Sequence, residues 1–484
     1  MMTWPRLSAR HRSACRFCSA LSLPLWLLLV LTTVGSAHAG EGAYYEVKYP
    51  AGTADGELTI GVTYTLWLPE QCVGPLRTEA QKTGIPPVGE EHPRRLRGII
   101  VHQHGCGTGA CQGGETAAYD WHWQALAREW NCALLGPSYH QSETQNCRLW
   151  CDPRNGSRAR FLQGLHDLAS QSGHPELEQV PWCLWGHSGG AFWASLMQAS
   201  DPERIVAIWL RSGSAYGAWE KGEIPKPEFS PAMFDIPTMC NPGLKERDDP
   251  RFSGAWTAPM AMFREYRPKG ALIGFAPDPA TAHECGDSRS LAIPYFDACL
   301  RLRLQDPAST ETKLKKIDPQ SGFLAPLNGD KAEPAAKYTG DRNDAGWLPD
   351  AAVADFWAEY VKTGSVTDLS PPAPPVGVVA NLRNDGTVEL TWSIRADLES
   401  GVGGFVIVRN GTELMTLTRS MGNRPGRVVL QGRSYHDTPE KPLTELRYVD
   451  RMAKGPAKYE LRTVNGQGLR SEAAVADWKS AAAK

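Results

Sequence analysis

Long apolar runs are scarce in this chain. Beyond position 40 no segment approaches the roughly 20 consecutive apolar residues that a membrane helix needs. Charge of one sign is not in excess either. The 51 Lys and Arg against 53 Asp and Glu give a net charge of −2, which leaves no basic footprint for nucleic acid. With 47 Gly and 37 Pro in 484 residues, collagen-like, low-complexity and wholly disordered chains are excluded. No cysteine follows Cys299. What remains is an ordinary globular composition, 42% hydrophobic, long enough for two to four domains. The 17 tryptophans suit either a large core or an aromatic cleft wall, with Trp121, Trp123, Trp150 and Trp185 as candidates for a subsite.

The first 39 residues read as an address. Arg6, Arg10, Arg12 and Arg16 stand there without an acid, a 14-residue apolar stretch follows at 21–34, and Ala37-His38-Ala39 closes it. That is the layout of a secretory signal peptide cut after Ala39, so the mature protein is expected to be secreted or periplasmic. Ten cysteines then remain, between Cys72 and Cys299. An even number in an oxidising compartment favours disulfides. The spacings CGTGAC and CRLWC are not those of zinc ligands, and His102 with His104 lacks a recognisable third ligand, so no metal is expected.

Short apolar runs alternate with amphipathic stretches from about 44 to 304. Strands are expected at 58–68, 96–104, 132–139, 180–186, 205–212, 236–241 and 271–277, with helical patterns between them. Near-continuous apolar strands separated by helices predict a doubly wound, mostly parallel α/β sheet covered on both faces. The first run alternates polar and apolar residues, as an exposed antiparallel edge strand would. Residues 305–345 read as a polar surface excursion, and 348–364 as a last helix of a domain spanning 40–369. SPPAPP at 370–375 is a stiff linker. From 376 to 484 strand and turn signals alone remain, predicting an all-β sandwich.

The chemistry concentrates at GHSGG, 186–190. A nucleophilic Ser must stand on a sharp strand-to-helix turn, and flanking glycines leave room for it. VPWCLW before and AFWASLMQAS after supply the strand and the helix, making Ser188 the nucleophile candidate; the alternative is a Ser that merely caps the helix. The oxyanion of an acyl-transfer intermediate needs backbone donors. One is the N–H of Gly189; the other is expected from the Gly-rich loop HGCGTG after an early strand, with Cys106 best placed through its backbone. In the α/β-hydrolase fold, which this strand-turn-helix Ser motif resembles, the triad runs Ser, acid, His with the base after the last strand, where His283 lies in PATAHECGD. The acid that orients it should follow the strand at 236–241. Glu246, Asp248 and Asp249 are all eligible there, and Glu246 is preferred as nearest the strand end.

With HQHGCGTG, WGHSGG and AHECGD running into LAIPYFDACL in view, 44–304 resembles an α/β-hydrolase. It is most similar to secreted esterases of the polyhydroxybutyrate-depolymerase and feruloyl-esterase type. Its Ser motif departs from the GLSAGG-like form of many depolymerases. The resemblance implies cleavage of a small or polymeric carboxylic ester through a Ser188-His283-Glu246 triad and an acyl-enzyme, with no cofactor. Chain position further suggests a Cys240–Cys285 disulfide tying the acid loop to the base loop. Trp392 in VELTW, the strand FVIVRNG and Tyr459 resemble the core Trp, third strand and tyrosine corner of a fibronectin type III module, which implies a spacer or a contact with polymer or cell surface. A serine peptidase of the same hydrolase class and a catalytically silent surface-binding protein are the alternatives.

Overall fold

The computed structural model describes residues 42–74, 93–107, 114–329, 331–418, 431–440, 446–453 and 457–479. The expected signal peptide lies outside them, as does Cys111. No helix among the described residues is long and apolar enough to cross a membrane.

Eight strands form the main sheet: β1 (Ala43–Tyr49), β2 (Val62–Leu68), β3 (Gly98–Gln103), β4 (Cys132–Tyr139), β5 (Trp182–His187), β6 (Ile205–Arg211), β7 (Thr238–Asn241) and β8 (Ile273–Phe275). Their spatial order is β1-β2-β4-β3-β5-β6-β7-β8. β1, β2 and β4 pair antiparallel, and every other neighbour pair is parallel. This mixed, mostly parallel sheet between helices fits an α/β-hydrolase.

Alternation along each strand feeds two cores. On β5, Trp182 and Leu184 point to one face while Cys183 and Trp185 point to the other. Helices α1 (Trp121–Trp130), α2 (Ser157–Ser172), α3 (Gly189–Ser200), α4 (Ser253–Tyr266), α5 (Arg289–Arg303) and α6 (Ala351–Thr363) divide equally between them. The second, third and fourth cover the first face; the others cover the second. Trp123, Trp150 and Trp185 are fully buried in these cores, so they are not an exposed aromatic subsite.

Two expectations are corrected. The exposed edge is β1, half-buried except at the exposed Lys48; β2 is buried throughout, and even its Thr63 and Thr65 are covered, because β1 pairs along its whole outer side. The stretch at 305–345 is more than a surface excursion. Its end builds a small antiparallel sheet of β9 (Phe323–Pro326), β10 (Glu333–Pro334) and β11 (Ala345–Leu348), with Trp347, Leu324 and Leu272 in a core of its own. These strands are too short to show a period.

After the linker come β12 (Val376–Leu382), β13 (Val388–Ser393), β14 (Gly404–Arg409), β15 (Thr412–Thr418), β16 (Leu446–Asp450), β17 (Tyr459–Val464), β18 (Ala474–Val475) and β19 (Asp477–Lys479). They form two four-stranded sheets, β16-β13-β12-β19 and β15-β14-β17-β18, around one core. There Trp392 meets Phe405 edge-on at 5.3 Å, and the Tyr459 hydroxyl donates to Asp450 at 2.7 Å.

This β-domain is docked on the α/β domain. Trp121 packs against its core, and His122 Nε2 donates to the Leu398 carbonyl at 2.7 Å. Arg289 is buried between Asp120 of its own domain and Asp437 of the other, at 2.7 Å from each. One guanidinium faces two carboxylates, and burial raises the pKa of the second, Asp437.

Candidate active site

The turn after β5 is shaped by steric exclusion. A Cβ on Gly186 would lie 2.3 Å from the Gly190 carbonyl oxygen, and one on Gly190 would lie 2.3 Å from that of Gln103. Only glycine at both positions lets strand, turn and helix approach this closely. Ser188 between them takes φ 54°, ψ −113°, a conformation that costs an L-residue of order 1–3 kcal/mol. Its side chain makes no capping bond to α3, which sets aside the reading of a helix cap. Instead Oγ is 3.0 Å from His283 Nε2.

His283 lies in the loop between β8 and α5 and is 8% exposed. Its Nδ1 is 2.5 Å from Oε1 of Glu246, which is wholly buried in the turn after β7. The other carboxylate oxygen, Oε2, accepts the Gly243 N–H at 3.0 Å, so both oxygens are anchored. The two other eligible acids point elsewhere. Asp248 is largely exposed beside Arg247, and Asp249 accepts the N–H groups of Arg251 and Phe252. Asp278, on the base loop itself, faces Arg211 at 3.7 Å and takes the Tyr360 hydroxyl at 3.1 Å.

Gly189 opens α3, where backbone N–H groups have no carbonyl a turn earlier to bond. Cys106 is against it: a Cβ on Gly189 would fall 2.4 Å from Cys106 Sγ. The thiol is not free, since Cys106 and Cys147 form a disulfide with Cα atoms 5.5 Å apart. The expected Cys240–Cys285 bridge is absent, and both are buried free thiols. Cys240 belongs to the core on one face of the sheet and Cys285 to the core on the other, so the sheet separates them. Among the described residues no group of three or more His, Cys, Asp or Glu could hold a metal ion.

Four neighbours of the site carried no signal readable from sequence. Phe252 stacks flat on the His283 ring at 3.9 Å. Arg211, fully buried at the end of β6, donates to Thr281 Oγ1 at 2.7 Å and to the Glu284 carbonyl, gripping the base loop on either side of His283. His187, the variable residue of the Ser motif, donates from Nε2 to the His283 carbonyl at 2.7 Å. His436, which sequence assigned to the other domain, comes within 2.7 Å of His187.

No family model matches the chain, and no curated protein matches it. Solved structures do. A thermostable esterase is 13% identical over 48% of this chain, with a TM-score of 0.31; the chain spans only 54% of that protein's length. An S-formylglutathione hydrolase from Staphylococcus aureus is 12% identical over 51% of this chain and 92% of its own, with a TM-score of 0.32. A fibronectin-type-III-like protein from Clostridium thermocellum is 21% identical over 24% of this chain and 99% of its own, with a TM-score of 0.16. At such scores these likenesses carry no weight beside the geometry of the site.

Proposed function

We propose that the protein is a serine hydrolase that cleaves carboxylic esters, with Ser188 as nucleophile, His283 as general base and acid, and Glu246 as the orienting acid. The observation that carries this reading is the unbroken line from Ser188 Oγ through His283 to Glu246, at 3.0 and 2.5 Å. The Ser188 hydroxyl gives its proton to His283 Nε2 as Oγ attacks the ester carbonyl. The Gly189 and Cys106 N–H groups receive the oxyanion. The Nδ1–H of the resulting imidazolium is held by Glu246. His283 then protonates the departing alcohol, takes a proton from water as its oxygen attacks the acyl carbon, and returns that proton to Ser188 Oγ as the acid leaves. No step calls for a cofactor.

In the same reading, 376–484 is a fibronectin type III-like module joined through 370–375, and the substrate is a small or polymeric ester. Export through residues 1–39 goes with it, supported by the Cys106–Cys147 bridge, which an oxidising compartment would preserve. Hydrolysis of short- and long-chain p-nitrophenyl esters by the mature protein, beside Ser188→Ala, tests the assignment. Turnover that disappears in the variant supports it; turnover that survives, or none in the folded, oxidised wild type, overturns it.

A further inference from the structure

The base loop is held from outside its own domain. Along 433–437 of the β-domain, Arg433, Tyr435 and Asp437 each meet a residue of the segment that begins at His283. Arg433 pairs with Asp287 at 2.6 Å, and the Tyr435 carbonyl accepts the Cys285 N–H at 3.2 Å. Asp437 pairs with Arg289 at 2.7 Å. Between them His436 Nδ1 lies 2.7 Å from His187 Nδ1, and His187 Nε2 lies 2.7 Å from the His283 carbonyl oxygen.

Hydrogen-bond bookkeeping leaves one arrangement of protons for two neutral rings. A carbonyl oxygen only accepts, so His187 must carry its proton on Nε2. Its Nδ1 is then a lone pair, and the 2.7 Å contact requires His436 to donate from Nδ1. Burial and the neighbouring histidines hold His187 well below its ordinary pKa, and burial with His283 nearby lowers His436 to about 4. His187 also immediately precedes Ser188, so one imidazole joins the nucleophile turn to the base loop.

We infer that His436 is a positioning residue for the hydrolase reaction: by donating to His187 it fixes the tautomer with which His187 holds the His283 loop against the Ser188 turn. The β-domain thereby supplies part of the active site. This rests on the reading of Ser188 and His283 given above. The His436 ring bonds to His187 rather than to Ser188, so its loss acts on the alignment of base and nucleophile and lowers kcat while KM stays nearly constant.

The test is steady-state hydrolysis of a p-nitrophenyl ester by the full-length mature chain, with melting temperatures recorded for each variant. His436→Phe keeps the ring's bulk and removes the donor; His436→Asn places an amide N–H close to where Nδ1 stood. The expected result is a kcat about tenfold or more below wild type for His436→Phe, KM within about twofold, and recovery to within about threefold of wild type in His436→Asn. Should His436→Phe fail to fold, His436→Ala takes its place under the same thresholds. A donorless variant with kcat within about twofold of wild type overturns the inference. So does a His436→Asn rate as low as that of the donorless variant, since bulk rather than the hydrogen bond would then be at issue. Ser188→Ala separates the two levels: activity that survives it overturns the esterase reading itself, whereas its loss beside an unaffected His436 variant overturns this inference alone.

Discussion

Glu246 Oε1 stands 2.5 Å from Nδ1 of His283, and the same carboxylate is pinned through Oε2 to the Gly243 N–H. That double anchorage predicts the outcome of an isosteric change. In Glu246→Gln the amide oxygen remains the natural acceptor for Gly243, which turns the NH2 group toward His283. Facing a donor, the imidazole moves its proton to Nε2 and can no longer accept one from Ser188. A kcat loss of about 10²- to 10⁴-fold is expected, with KM little changed. Asp248→Asn, altering an exposed side chain, should leave kcat within about twofold of wild type. Steady-state kinetics of the two variants decides; equal losses would mean that the acid has been misassigned.

Strain at the Ser188 turn predicts a stability difference between two variants that the proposed mechanism makes inactive. Ser188→Ala and Ser188→Gly both lose the contact to His283, but only alanine keeps a Cβ at φ 54°. Glycine relieves that conformation, so Ser188→Gly should be the more stable by about 1–3 kcal/mol, offset in part by its greater freedom when unfolded. Urea unfolding of the pair measures the difference, and a glycine variant less stable than the alanine variant contradicts the prediction.

The site residues that could be picked out from sequence share a property. Ser188 announces itself through glycines two positions away on either side, and His283 and Glu246 through the strand each follows. What could not be read depends on parity and on distance. Cys240 on β7 and Cys285 in the loop after β8 are close in the chain order of the fold, yet Cys240 points into the core on one face of the sheet and Cys285 packs in the core on the other. β2 looks like an edge because Thr63 and Thr65 alternate with apolar residues, and only the pairing of β1 outside it explains their burial. The His187–His436 contact joins residues 249 positions apart and belongs to no motif. A Pro-rich linker suggests separation of domains, whereas the buried Asp120–Arg289–Asp437 group shows them in contact.

That contact predicts an acid-sensitive protein. Burial and Arg289 lower His122 to about 3, and burial with His283 lowers His436 to about 4. Unfolded, each titrates near its ordinary 6.5. Between these limits the unfolded chain binds protons that the native state refuses, so stability rises with pH. It is complete above 6.5 and lost as pH falls toward the folded-state values. Each histidine contributes a slope of at most about 1.4 kcal/mol per pH unit. Denaturant unfolding at pH 7, 6 and 5 should show a falling free energy, with a shallower fall in His436→Asn. Identical values at pH 7 and pH 5 would contradict it.

The disulfide makes the last prediction, because it lies beside the helix start that receives the oxyanion in the proposed mechanism. Cys106 and Cys147 close a loop across 41 positions, and Cys106 Sγ packs where a Gly189 side chain would be. Opening the bridge therefore has two consequences. Freed loop entropy in the unfolded chain should lower stability by about 2–4 kcal/mol. Release of the Cys106 loop should also leave its N–H poorly aimed, lowering kcat by about ten- to a hundredfold while KM changes less, since the oxyanion exists only after attack. Cys147→Ser, assayed well below its melting temperature, separates the two effects. A variant that is less stable but turns over at the wild-type rate would retain the bridge as a staple and remove Cys106 from the oxyanion site.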